Sequence, residues 1–308
     1  MMAVSHTVLG LRGLLRWSML PPLLSLLLCG TQAFGQGPFT RSAIALANEG
    51  KLEEAEYKLA AAFASAESED PMTWYVHAYV LKQRYAHEGR QPNSTLRAQS
   101  VESAMTCASK DPEGQLNNWL HPLLEFLGDS FLEDMRVAIA DVAPDAPVEA
   151  EAQFKSYAEI QQKIDPNWDR APEWVLLQQQ LGETAMAEAV QQEKTAAGPW
   201  FALGVHHYAL AANQDHDRFR SQYNLAVHTY NQGVREFKAS EDDLDAIDQA
   251  LNRAAVHWRA AADRLESAIA LDQRKPEAYE ALAIVSTALL NQDRIEWCKA
   301  HIQELEGR

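Results

Sequence analysis

The feature that most constrains this chain is a helical apolar period that never runs far before a breaker. From residue 39 onward, apolar residues recur three and four apart among Ala, Leu, Glu and Gln. That is the spacing of an amphipathic helix in a composition of good helix formers. Stops come at short intervals: Gly50, "EDP" at Pro71, "EGRQPNS" around Pro92, "KDPEG" at Pro112, and "APDAP" at Pro144 and Pro147. They continue at Pro166, "RAPE" at Pro172, "AGP" at Pro199, "NQDHD" over 213–217, "KASEDD" over 238–243 and "RKP" at Pro276. Proline turns the residue before it away from the α region yet suits a first helical turn, and Asp, Ser and Asn satisfy the orphan amides there. The breakers therefore divide the chain into roughly a dozen helices joined by short loops, which makes neighbouring helices antiparallel. No period-two run rich in Val, Ile and Thr stands out, so the expected fold class is all-α.

The helices also repeat. Ala55, Leu59 and Ala62 share one face of a helix that closes on Pro71, and Ala261, Leu265 and Ala268 repeat the arrangement before Pro276. Ser100, Ala104 and Cys107 give a weaker copy before Pro112. An aromatic follows at a fixed distance, Trp74 after Pro71 and Tyr279 after Pro276, while Trp200 follows Pro199 directly. Helix–turn–helix units that close on proline and reopen on an aromatic are a repeat signature.

These residues resemble tetratricopeptide repeats, whose units read W-x2-L-G-x2-Y in the first helix and A-x3-F with a closing proline in the second. Trp200, Leu203 and Gly204 match the first half, with the tyrosine one place late at Tyr208. Tyr279, Leu282 and Ala283 match with tolerated swaps, followed by Cys298 and Ile302; Trp74 and Ala78 match, with His77 where leucine belongs. Residues 39–112, 198–212 and 254–305 fit best. The stretch 113–197 is helical but divergent, and the helices in 218–272 exceed the usual unit. The resemblance implies one repeat domain over 36–308, its antiparallel helix pairs stacked as an α-solenoid that is irregular in the middle. It further implies that first-helix side chains line an open concave face and bind peptide or protein segments. Carried over by position, the exposed contact candidates are Tyr75, Tyr79, Lys82 and Gln83 in one unit, and Phe201, Val205 and Tyr208 in the Trp200 unit; their alternative role is packing between repeats.

In "GPWFALGVHHYALA", Pro199 and Trp200 are expected to open a helix. Glycine inside a helix costs about 1 kcal/mol against alanine, so Gly204 is expected to let a neighbouring helix approach closely. His206 and His207 are adjacent, hence about 100° apart on a helix, whereas helical metal pairs stand at i and i+4. "NQDHDRFRSQYN" begins like a calcium loop, but Arg218 and Asn224 stand where glycine and glutamate are required. "GDSF" over 128–131 has a hydrolase-like look without G-x-S-x-G or a strand before it, and reads as a helix start capped by Asp129 or Ser130. Glu241, Asp242 and Asp243 suit a helix beginning, where carboxylates complement the macrodipole. "NST" over 93–95 is formally a glycosylation acceptor in a loop. Cys107 and Cys298 read as separate thiols. No metal, cofactor or catalytic constellation is expected.

At the N-terminus, Arg12 and Arg16 precede "WSMLPPLLSLLLCG" and then the small residues of "TQAFGQG". A basic n-region, a short apolar h-region and small residues before a cut describe a secretory signal peptide over 1–35. Pro21 and Pro22 would interrupt a spanning helix, and Leu28 before Cys29 departs from a lipoprotein signal. The resemblance and this segment together imply the bacterial cell envelope, periplasmic or associated with it. The formal charge of −16 repels phosphate backbones, so nucleic acid is not expected as a partner and a basic protein segment is admissible. The expected function is an exported, non-catalytic scaffold for protein or peptide segments. The alternative is an all-helical small-molecule binder or enzyme with a pocket in 113–197, lined by Trp119, Trp168 and Trp174.

Overall fold

A computed structural model describes residues 37–307, apart from Val142, Pro144, Glu193 and the stretches 215–217 and 239–243. The signal-like segment 1–35 with Cys29 lies outside the described residues, as do Glu241, Asp242 and Asp243. The described residues are all-α. The helices are α1 (Pro38–Asn48), α2 (Leu52–Phe63), α3 (Pro71–His87), α4 (Thr95–Lys110), α5 (Asn117–Ala140) and α6 (Ala146–Ile164). They continue with α7 (Ala171–Gln191), α8 (Lys194–Ala212), α9 (Arg218–Lys238), α10 (Leu244–Leu271), α11 (Pro276–Ala288) and α12 (Gln292–Glu306). A short 3-10 turn, Ala66–Glu69, precedes α3.

Capping chemistry sets many of these ends. Pro38, Pro71 and Pro276 take the first helical position. Asp70 accepts the Met72 amide at 2.9 Å and Asn291 accepts that of Arg294 at 3.1 Å. Where α1 lacks a cap of its own, the Glu67 carboxylate accepts the Phe39 and Thr40 amides at 3.1 and 2.8 Å.

Two expected helix starts are overridden. Pro199 does not open a helix but lies inside α8, which begins at Lys194. Ala197 and Phe201, on either side of it, are both buried in one core cluster, and that burial offsets the amide the proline lacks. Likewise "GDSF" is no helix start. It lies in mid-α5, where the buried stripe Leu120, Leu123, Leu124, Leu127 and Phe131 carries the helix through. Ser130 turns its hydroxyl back onto the Leu127 carbonyl at 2.6 Å.

The chain divides into two compact units. The first contains α1 to α4, α5 as far as Ala138, and α6 from Val148, ending at Trp168. Here α1 packs on α2, α2 on α3 and α3 on α4. The repeat faces Ala55–Leu59–Ala62 and Ser100–Ala104–Cys107 are wholly buried. Trp74 Nε1 donates to the Ser68 carbonyl at 2.8 Å.

The second unit takes Ile139–Pro147 and the chain from Asp169 on. Here α7 to α12 pack each on the next. Ala261, Leu265 and Ala268 are fully buried, as the repeat spacing predicts. Tyr279 Oη donates to the Gln273 carbonyl at 3.3 Å. Trp74 and Tyr279 thus make the same bond, to a carbonyl six residues back, each three residues past a helix-opening proline. Cys107 and Cys298 are both buried free thiols.

Gly204 is a packing device, and it has a counterpart. A Cβ at Gly204 would lie 2.8 Å from Met186 of α7, and one at Gly182 of α7 would lie 3.0 Å from the Tyr208 ring of α8. Each helix places a glycine opposite the other's bulky residue, and that bulky residue stands four places beyond its own glycine. At Gly233 of α9 the space is tighter still. A Cβ there would meet the Trp258 indole at 2.6 Å and the Ala254 carbonyl at 3.0 Å. Overpacking a rigid neighbour costs about 1–3 kcal/mol, while alanine returns about 1 kcal/mol of helix propensity. In urea unfolding, Gly233→Ala is expected to be clearly destabilising. Gly204→Ala is expected to stay within about 1 kcal/mol of the parent, because the Met186 thioether can swing away.

Candidate binding site

The first candidate group lies on α3. Tyr75 and Tyr79 are one turn apart with ring centroids at 6.4 Å, and Trp119 of α5 lies 6.4 Å from Tyr75. Gln83 Nε2 donates to Tyr79 Oη at 2.7 Å. The expected exposure is corrected here: Tyr75 is 3% and Tyr79 8% exposed, and burial pushes the Tyr75 phenol up. The start of the divergent middle stretch, in α5, covers their face. Gln83 remains half-buried.

Lys82 is also buried, at 7% exposure. Its ammonium stands 4.2 Å from the Phe126 ring centre and 6.0 Å from that of Tyr79. Arg90 lies over the same Phe126 ring at 4.7 Å. Gly89 and Arg90 both have positive φ, 80° and 55°, and this reversal after α3 brings the guanidinium back over α5. Loss of solvent, with Arg90 as a neighbouring cation, lowers the Lys82 pKa to about 8. Among the described residues neither cation has a carboxylate partner.

Arg97, on α4, shows what a compensated cation looks like in the same unit. At 2% exposure it lies 4.1 Å over Phe131 and makes an ion pair with Asp134 at 2.6 Å. It also donates to the Ser130 carbonyl at 3.2 Å and to Gln153 Oε1 at 3.5 Å. Asn93 of the glycosylation-like triplet holds Gln153 Nε2 at 3.3 Å.

In the second unit Phe201 and Tyr208 are likewise buried rather than exposed, at 6% and 0%. Arg235 covers Phe201 at 4.6 Å and donates to the Ala189 carbonyl. Tyr208 lies between Gly182 and His228, stacked on the imidazole at 5.1 Å. Val205 remains half-buried. His206 is exposed, whereas His207 is 2% exposed and bonds Gln178 Oε1 at 2.7 Å. The two histidines therefore diverge. Among the described residues no group of three or more potential metal ligands occurs. The calcium-like stretch is helical from Arg218 through Asn224.

Sequence reasoning missed a polar band in this unit. It comprises the buried Gln178, Gln179, Ser221 and Asn224 and the half-buried His228, with Gln179 Nε2 donating to Ser221 Oγ at 3.0 Å. Its signal was the i, i+3, i+7 spacing of Ser221, Asn224 and His228, which shares one helical face. Burial lowers the His228 pKa from 6.5 to about 4, so this histidine is neutral in the fold. The unfolded chain then binds more protons between about pH 6.5 and 4, and stability falls as pH drops through that window. His228→Phe is expected to remove at most about 3 kcal/mol of that acid sensitivity, read as the pH dependence of urea unfolding.

The three tryptophans of the alternative reading do not all lie in one unit. Trp119 sits on Tyr75, Trp168 stands edge-on to Tyr157 at 5.8 Å, and Trp174 belongs to the other unit. Among the described residues no helix is long and apolar enough to cross a membrane.

No family model matches the chain, and no curated protein does. Among solved structures it is similar to a monomeric mutant of IFIT1 with Gppp-AAAA, at 12% identity and a TM-score of 0.28, covering 87% of this chain and 54% of that one. It is also similar to the human IFIT1 dimer with PPP-AAAA, at 12% identity and a TM-score of 0.18, covering 88% and 72%. The chain spans about half the length of the first. Scores this low transfer neither fold nor ligand.

Proposed function

We propose that the chain is an exported, non-catalytic scaffold whose helix pairs bind an extended protein or peptide segment. The observation that carries this reading is the doubled anchor, Trp74 to Ser68 and Tyr279 to Gln273. The same device occurs once in each unit, marking helix pairs of one kind, and repeated helix pairs present an open face to an extended segment. Of the seven contact candidates, Gln83 in the first unit and Val205 in the second keep an open side, so each unit offers one candidate contact position of its own. The net charge of −16 favours a basic segment and disfavours nucleic acid. Export rests on Arg12, Arg16 and the apolar run that follows them, and the tetratricopeptide-like repeats point to the cell envelope.

Affinity capture from the native source tests the reading. The expected result is one protein recovered repeatedly, a peptide of which binds saturably and is weakened about tenfold or more by Gln83→Glu or Val205→Glu. Repeated recovery of a low-molecular-weight ligand with no protein would overturn it. A reporter enzyme active only after export, fused behind residues 1–36, should be active, and should fall silent when Arg12 and Arg16 become glutamate.

A further inference from the structure

We infer that Lys82 and Arg90 form a binding site for one compact phosphate group, either inorganic phosphate or a phosphate monoester. A lysine 7% exposed is rarely left without an acid, because burying an uncompensated ammonium is costly. Here the neighbouring charge acting on it is a second cation, and the two share one aromatic ring at 4.2 and 4.7 Å. Aromatic faces attract cations but supply no net charge, so the pair still lacks a counter-ion. Arg97 in the same unit carries Asp134 at 2.6 Å, so an acid is available where the fold needs one.

Two cations call for two negative charges, and a phosphate monoester carries close to two at neutral pH. A single carboxylate would leave one cation uncompensated. Lys82 offers a compact point charge and Arg90 a planar fork of donors, a complementary pair for one tetrahedral oxyanion. Arg90 is exposed while Lys82 lies buried beside it, so entry is from the arginine side. The remote acids behind the charge of −16 act weakly at distances beyond about 8 Å in physiological salt.

Calorimetric titration of the purified chain with inorganic phosphate, and separately with O-phosphoserine, tests the site. The expected result is saturable one-to-one binding of at least one of them, the tighter arm identifying free phosphate or monoester as the source. Each of Lys82→Met and Arg90→Met should weaken it about tenfold or more. Phosphate should also raise the thermal midpoint of the parent and leave that of Lys82→Met unmoved. Arg90 is exposed, so its variant keeps the test valid if Lys82→Met misfolds. Absence of saturation with both compounds, or undiminished binding in a folded variant, overturns the site. Neither outcome bears on the capture of a protein segment, since this inference rests on the cation pair alone.

Discussion

Asp134→Ala is expected to cost about 3 kcal/mol in urea unfolding, because removing one partner of a buried ion pair strands the other. Arg97, 2% exposed, would keep its Phe131 ring, the Ser130 carbonyl and Gln153, and would lose the negative charge 2.6 Å away. The cost lies in the stranded charge rather than in the bond itself. The double variant Arg97→Met with Asp134→Leu is therefore expected to recover most of it, since packed apolar groups often replace a buried pair without loss. A double variant as unstable as the single one would show that shape, not charge, decides at this position.

Tyr208 separates packing from hydrogen bonding. Its ring is fully buried between Gly182 and His228, while its hydroxyl has no hydrogen-bond partner among the described residues. Tyr208→Ala empties the seat that Gly182 of α7 and His228 of α9 form for the α8 side chain and is expected to cost about 4 kcal/mol. Tyr208→Phe keeps the ring and removes a buried polar group, so it is expected to be neutral or to stabilise by up to about 1 kcal/mol. Urea unfolding of the two variants side by side checks this. A phenylalanine variant as weak as the alanine one would mean that the hydroxyl holds a partner.

What was readable in advance follows from what a linear pattern encodes. Ala55, Leu59 and Ala62, and their copies at 261–268, announce a buried face because small and apolar residues at helical spacing state burial directly. The anchors at Trp74 and Tyr279 were visible as an offset from proline. Gly204 could be read as a socket, but Met186 in it could not, since that pairing belongs to the crossing of two helices. The misplaced candidates on α3 share one cause. Whether Tyr75 and Tyr79 face solvent depends on what covers α3, and the cover comes from α5, through Trp119. That helix lies in the stretch where the repeat pattern fades. Pro199 and Ser130 were taken at their local value, but a continuous buried stripe carried the helix past each. The cation pair at Lys82 depended on a positive φ at Arg90, to which residue type gives little clue.

Hydrogen exchange across residues 37–307, with and without the captured segment, tests the central claim most directly. A scaffold of helix pairs predicts slowed exchange around Gln83 on α3 or Val205 on α8, with a stoichiometric protein segment bound and released unchanged. Slowing confined to 113–197 on addition of a low-molecular-weight compound, with chemical turnover of that compound, would contradict it.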